Sequence, residues 1–357
     1  SAGTGLTAGT LTSTTGKIDV DSAAGLLKVT TATAKTDLDA QAVAGALTVG
    51  TFTAATALLR SGADMTLTKG TTTGVLTTSS LGAANLGNLT SGGQLTSDAT
   101  GAMTVTSAKG TVLDMSAGTG LTAGTLTSTT GKIDVDSAAG LLKITTATAK
   151  TLLDVQASAG DLSVSKFTTA TAALVSGNDM AVTTGTTAGV MLTTSGRNAT
   201  LGSLTSSADK VKVDATGTLT VTTAKAATQV DLSGRAGLTA TTLTSTNAFI
   251  DVESLAGSVS VKTANAKTYF NANSYGAMTL GTFGVTAGYA SLVSGGAMAI
   301  TTGSTPTYLA GASQGNAVLA FDAVAASGRL LAPLDHADDA HCYVTGTGLT
   351  HLGSADT

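Results

Sequence analysis

Charge is scarce in this chain. Asp, Glu, Lys and Arg together make up 11% of its 357 residues, against about 25% in an average soluble domain. The formal net charge is -4, and no run of lysine or arginine breaks the pattern. A basic stripe for a nucleic-acid backbone is therefore excluded. Tryptophan is absent, aromatics are 3%, and there are two prolines and one cysteine, Cys342. A lone cysteine forms no internal disulfide, so packing must stabilise the chain. No stretch approaches the roughly 18 uninterrupted apolar residues of a membrane-spanning helix. The sequence begins at Ser1 without a signal-peptide pattern, as expected of a segment cut from a longer chain. Low charge accompanies disorder when apolar residues are also few, but here they are 42% and regularly placed. A buried core is predicted.

What the sequence has instead is repetition. Ser1 to Thr36 returns at Ser116 to Thr151 with one change, Val29 becoming Ile144, and a diverged copy runs from Gly237 to Thr268. A long unit copied this faithfully reads as a stack of smaller units, each burying its apolar face on the next. Glycines at Gly25, Gly45, Gly62, Gly82, Gly101 and Gly120 divide the first unit into six coils of similar length. Most coils hold a short alternating run such as Gly45 to Val49, where Leu47 and Val49 are set inward and Thr48 outward. The density of Thr, Val and Gly and the absence of a sustained 3.6 period argue against helix.

The predicted fold is all-β, a right-handed parallel β-helix of about 19 residues per coil with six coils per super-repeat of about 115 residues. Residues 1-115 and 116-232 form two super-repeats and 233-305 a partial third. The segment 306-357 is a divergent cap or foreign tail, because all three histidines, the cysteine and both prolines fall there. Some 16 coils at the strand spacing of about 4.7 to 4.9 Å give a rod of about 75 Å. Phe52, Phe167 and Phe283 hold the same place in the three units and are expected to plug the core once in six coils.

One pattern invites chemistry. Asp114, Asp134 and Asp154 recur at one constant spacing, Asp19 and Asp39 repeat the step, and Asp231, Asp251 and Asn271 repeat it again. If one coil spans that step, the carboxylates stack outward in a column and repel by roughly 1 kcal/mol per pair in water. Within the opening repeat, Asp19 is where stacking looks costly. Relief could come from a hard cation such as Ca²⁺ held by Asp114, Asp134 and Asp154, from a lysine such as Lys17 or Lys132, or from solvent screening. Screening is the plainest of the three. Asp335, His336, Asp338, Asp339, His341 and Cys342 form a dense polar cluster, but in a stretch read as a loop they define neither a metal geometry nor a nucleophile with its base. GTGLTAG at Gly3 and Gly118 has no following lysine or helix and is not a phosphate loop. Asn88-Leu89-Thr90 and Asn198-Ala199-Thr200 are N-glycosylation sequons, which a Thr-rich chain also produces by chance.

Gly-punctuated coils of about 19 residues, rich in Thr, Ala and Ser and nearly free of Pro, Cys and Trp, resemble the shaft of filamentous-haemagglutinin-type exoproteins, bacterial adhesins exported by two-partner secretion. The resemblance covers residues 1 to about 310. It implies an extracellular or cell-surface rod without catalysis, whose partners are surface glycans or proteins of a host or neighbouring cell, or further copies stacked end to end. Sequons are glycosylated in some adhesins of that family. The family's amino-terminal Asn-Pro secretion motifs are missing, so a shaft segment fits best. The stretch from Thr345 to Asp356, TGTGLTHLGSAD, is similar to part of fumarylacetoacetate-hydrolase-like sugar-acid enzymes, though Gly346 to Thr350 could also open a fourth copy of the repeat. Other readings are a self-assembling β-helical filament, a carbohydrate-active β-helix and an ice-binding β-helix. The carbohydrate-active enzyme would need long loops to build a cleft. The ice-binding helix would need an unbroken threonine face, which Lys28, Lys35 and Asp39 are expected to interrupt.

Overall fold

The computed structural model describes residues 1-306 in full, together with the backbone strands Leu309–Ser313, Val318–Leu319, Tyr343–Thr345 and Gly348–Thr350. Residues 1-306 form a parallel β-solenoid, and the described residues contain no helix. Each turn contributes two strands. One is long, typically eight residues as in Leu47–Ala54, and joins a 17-stranded sheet; the other is short, five or six residues as in Thr56–Ser61, and joins a 16-stranded sheet. Sequence reading foresaw one alternating run per coil and missed this division of labour.

The register fixes the turn length. Leu6 pairs with Leu27, Leu27 with Leu47, Leu47 with Met65 and Met65 with Ala84, so the turn is longest between Leu6 and Leu27 and shortest between Leu47 and Met65. A representative step is the 19 positions that separate the paired Thr78 and Ser97. Parallel pairing continues past the change in composition at residue 305, through Ala290 with Leu309 and Ala299 with Val318. Further on, Gly348–Thr350 pairs antiparallel with Tyr343–Thr345, whereas the equivalent Gly-Leu-Thr of the first and second copies opens parallel strands. The tail hairpin therefore does not repeat the opening of the earlier copies.

The long strands turn a corner. In Leu47–Ala54, Leu47, Val49, Phe52 and Ala54 are buried, while Gly50 and Thr51, neighbours in sequence, both face outward. Strict alternation cannot place two successive residues on one face, so the strand bends at Gly50. Cα pairing skips this position in successive turns, as between Val29–Val49 and Thr31–Thr51. At Gly50 an added Cβ would lie 2.4 Å from the carbonyl oxygen of Thr30 in the preceding turn, so glycine lets the two turns approach closely there. The two sheets thereby enclose the core on three sides.

Inward positions alternate large and small along the rod. The inward position after the bend reads Ala32, Phe52, Gly70, Leu89, Ala108 and Leu126, then Ala147, Phe167, Gly185, Leu204, Ala224 and Leu243, then Ala264, Phe283 and Gly303. Each phenylalanine is at most 2% exposed and lies over the glycine of the next turn, where a Cβ would come within 2.1 to 2.4 Å of the ring. The expected phenylalanine plugs are present. Their six-turn period is a volume constraint, because a close-packed core has no room for a side chain beside the ring.

Buried hydroxyls close the turns. Ser61, Ser80, Ser91 and Ser195, each at the last inward position of its strand and at most 5% exposed, hand the chain into a turn. Ser80 Oγ donates to the carbonyl of Ala83 at 3.1 Å and to that of Ala63, one turn back, at 2.9 Å. Ser195 does the same with Asn198 and Asn178. These turn carbonyls already accept a backbone N–H from a neighbouring turn, so it is the buried hydroxyl that gains its partners, and each serine ties its own turn to the preceding one.

Candidate functional site

Outward positions of the two sheets differ sharply in chemistry. On the short strands, Asp114 pairs in register with Asp134 and Asp134 with Asp154; Asp19 pairs with Asp39, Asp231 with Asp251 and Asp251 with Asn271. The expected column exists. Its relief comes in part from lysine: Lys17 Nζ donates to Asp19 at 2.9 Å, Lys132 Nζ to Asp134 at 2.5 Å, and Lys212 Nζ to Asp231 at 3.2 Å. In the third unit, Asn271 donates to Asp251 Oδ1 at 3.0 Å in place of a further carboxylate.

The cost of stacking falls on Asp154, Asp251 and Asp39, none of which has a lysine of its own. Burial, together with the charge of Asp134, holds the Asp154 carboxyl above the ordinary carboxylate range, with Lys132 opposing. Burial and the charge of Asp231 do the same to Asp251, against the Asn271 hydrogen bond. Within the opening repeat it is not Asp19 that bears the cost, because Lys17 holds that carboxyl low by a hydrogen bond and by its charge. Asp39 bears it: its Oδ1 is buried with no hydrogen-bond partner, and burial raises its pKa despite Arg60. Asp114, Asp134 and Asp154 are thus brought into line, but among the described residues no group of three or more His, Cys, Asp or Glu side chains could hold a metal ion. Stacked carboxylates one strand apart, with one already paired to lysine, do not converge on a common point.

On the long strands, two files of outward side chains follow the bend. Thr10, Thr31 and Thr51 pair in register along one, and Thr12, Thr33 and Thr53 along the other. The second file continues through Thr71 and Thr90 to Lys109, then runs Thr127, Thr148, Thr168, Thr186 and Thr205 to Lys225. The residues expected to break a threonine face lie elsewhere. Lys28 sits ahead of the bend, Lys35 in the turn after its strand, and Asp39 on the short-strand sheet. Lys69, Lys109, Lys166 and Lys225 interrupt the files instead. Among the described residues the long strands carry seven lysines and no carboxylate, whereas the short strands carry thirteen carboxylates against Arg60 and Lys212.

Two further features escaped sequence reading. Phe249, Tyr269 and Tyr289 stack along one edge in the third unit, with centroids 4.4 and 5.6 Å apart and ring planes within 12°. The signal was available, since all three directly precede or open short strands and recur at the same constant step as the aspartates. At the opposite turn a polar ladder climbs the rod: the Asp179 amide donates to Asp161, the Asn198 amide and side chain donate to Asp179, and the Thr218 amide and hydroxyl donate to Asn198. Both sequon asparagines are exposed and engaged through their side chains: Asn198 in this ladder, and Asn88 by accepting from the Ser107 hydroxyl at 2.7 Å. The cluster Asp335, His336, Asp338, Asp339, His341 and Cys342 lies outside the described residues. No helix of the described residues is long and apolar enough to cross a membrane. The fold defines a class, the parallel β-solenoids, and beyond that the chain matches no family, no curated protein and no solved structure.

Proposed function

We propose that this chain is a structural rod, a shaft segment of a large secreted or bacterial cell-surface exoprotein of the filamentous-haemagglutinin type, acting through contacts spread along its length and not through catalysis. The observation carrying this reading is the constancy of the turns. From Leu6 to Met298 successive long strands pair in register, and no turn is longer than the first, Leu6 to Leu27, which leaves no insertion long enough to wall a cleft. Surface glycans or proteins of another cell are the proposed partners. The test is to coat beads with the purified chain and measure their retention on host and bacterial cell layers. Retention above that of a bead carrying an unrelated solenoid supports the reading, and equal retention overturns its adhesive part.

A second reading is favoured by the threonine files. Side chains stiff at χ1, spaced by about 4.8 Å between turns and about 6.7 Å along a strand, present methyl and hydroxyl groups in a two-dimensional array that Lys69, Lys109, Lys166 and Lys225 divide into stretches and that no aromatic or acidic side chain enters. Such an array suits an ordered water lattice. Thermal hysteresis and inhibition of ice recrystallisation test it, with Thr148→Lys and Thr168→Lys as the variants that should abolish either effect.

A further inference from the structure

Charge is divided between the two sheets, and both halves of the division repeat with the same period. On the acidic sheet, Asp19, Asp134 and Asp251 occupy equivalent positions in the three units, as do Asp114 and Asp231 in the first two. On the long-strand sheet, Lys28 recurs as Lys143 ahead of the bend, and Lys109 recurs as Lys225 after it. Each recurrence is six turns on. All four lysines are exposed and none has an ion-pair partner among the salt bridges of the described residues. The acids, in contrast, stand in register against one another, and Asp39, Asp154 and Asp251 are partly desolvated without a lysine of their own.

We infer that two copies of this chain associate side by side, the part of the long-strand sheet after the bend, which carries Lys109 and Lys225, lying on the acidic sheet of the next rod. Opposite charge on the two faces provides the attraction. The common six-turn period provides the register, because any alignment that brings one lysine onto an aspartate column brings its repeat onto the corresponding column. The contact is heterologous, the two patches being different surfaces of one molecule, so it does not close on a pair and leads to flat or bundled arrays of rods. It differs from end-to-end stacking, which uses the backbone edges of the terminal turns and no charged side chain. It does not depend on what the rod adheres to.

Sedimentation velocity over a concentration series tests the inference, at an ionic strength of about 0.01 M, where charges act over about 30 Å, and again near 1 M, where they act over about 3 Å. Reversible association at low salt that disappears at high salt is expected. The double variant Lys109→Glu, Lys225→Glu should associate at least tenfold more weakly, and Asp114→Lys, Asp231→Lys likewise. An equimolar mixture of the two variants should regain association, since each keeps the face the other has lost. Circular dichroism and melting curves confirm that each variant is folded; because Asp231 pairs with Lys212, Asp154→Lys, at an aspartate without a lysine of its own, serves if the second variant is not. A monomer at every concentration and salt overturns the inference. So does association that survives high salt or is indifferent to the lysine reversal, which would indicate stacking through the strand edges.

Discussion

The first two units and the third solve the same problem with different chemistry. At equivalent positions the first two place Lys17 or Lys132 ahead of the aspartate column, and each lysine pairs with the aspartate two residues on. The third places Phe249 there, begins an aromatic stack with it, and relieves Asp251 through Asn271. The core follows the same division. Phe167 is packed among aliphatic neighbours and over Gly185, whereas Phe283 also meets Phe270 at 5.4 Å, where the second unit has Leu153. A duplicated solenoid therefore constrains shape more tightly than it constrains the means of meeting it: the turn accepts a salt bridge or a ring stack provided the strand register survives.

Emptying the core breaks this comparison most severely. Phe167→Ala should cost about 3 to 5 kcal/mol of local stability. Phe283→Ala should exceed it by about 0.5 to 1.5 kcal/mol, the additional worth of an aromatic pair. Long repeat arrays do not unfold in one step, so the readout is amide exchange in the turns on either side of each substitution. Equal losses at the two sites would remove the energetic distinction between the units.

The turns separate the units next. Gly160 lies where a Cβ would meet the carbonyl oxygen of Gly140 at 1.6 Å, a clash with backbone that no rotamer relieves, while at the equivalent Gly276 the nearest atom is the Ser258 hydroxyl at 2.9 Å. The step from Leu142 to its partner Leu162 in the second unit is longer than the step from Val259 to its partner Met278 in the third, so the two turns are differently drawn. Gly160→Ala should therefore cost about 1 to 3 kcal/mol, as overpacking does, and Gly276→Ala less than half as much. Urea melts followed by exchange at Leu162 and Met278 compare them directly.

How much of this could be read from the chain is instructive. The turn length, the inward Leu47 and Val49, the phenylalanine plugs and the register of Asp114, Asp134 and Asp154 follow from spacing alone, because a parallel ladder transmits a sequence period directly into space. The sidedness does not. Lys28, Lys35 and Asp39 look like three interruptions of one face because they lie close together in sequence, but the chain turns at the bend and again after each strand, and the three residues end on different sides of the rod. The serines closing the turns were equally hidden: in a chain rich in Ser and Thr, nothing local distinguishes a hydroxyl that faces water from one that is buried and bonded to carbonyls of two successive turns. Nor does spacing show that Lys132 lies close enough to Asp134 to donate to it, since that depends on a side-chain rotamer.

Salt should sharpen the contrast at smaller amplitude. Lys132 and Asp134 remain 47% and 23% exposed, so removal of the ion pair in Lys132→Ala costs no more than about 1 kcal/mol at low ionic strength and still less near 1 M salt. Phe249→Ala, at the equivalent position, loses ring stacking and apolar burial, and its cost should be insensitive to salt. A salt-dependent Phe249→Ala would mean that charge relief in the third unit also passes through the aromatic edge.

The smallest effect expected is that of pH, and its sign is unusual. Asp39, Asp98, Asp136, Asp154 and Asp251 all have carboxyls raised above their ordinary value, in each case first by burial and then, except for Asp39, by a neighbouring aspartate; at Asp39 Arg60 opposes the rise. A folded state that holds its protons more tightly than the unfolded state gains stability as pH falls. The gain begins as pH drops through the raised folded values and is complete below the ordinary carboxylate range. Asp19, held low by Lys17, works in the opposite direction but is a single exposed group. The rod should therefore melt higher near pH 4.5 than at pH 7. Asp154→Asn, which removes one raised carboxyl and leaves Asp134 its lysine, should raise the melting point at pH 7 and reduce the gain on acidification. If the wild-type rod instead loses stability steadily from pH 7 downward, the aspartate column is a net source of stability, and the lysines of the first two units would be its partners and not merely its relief.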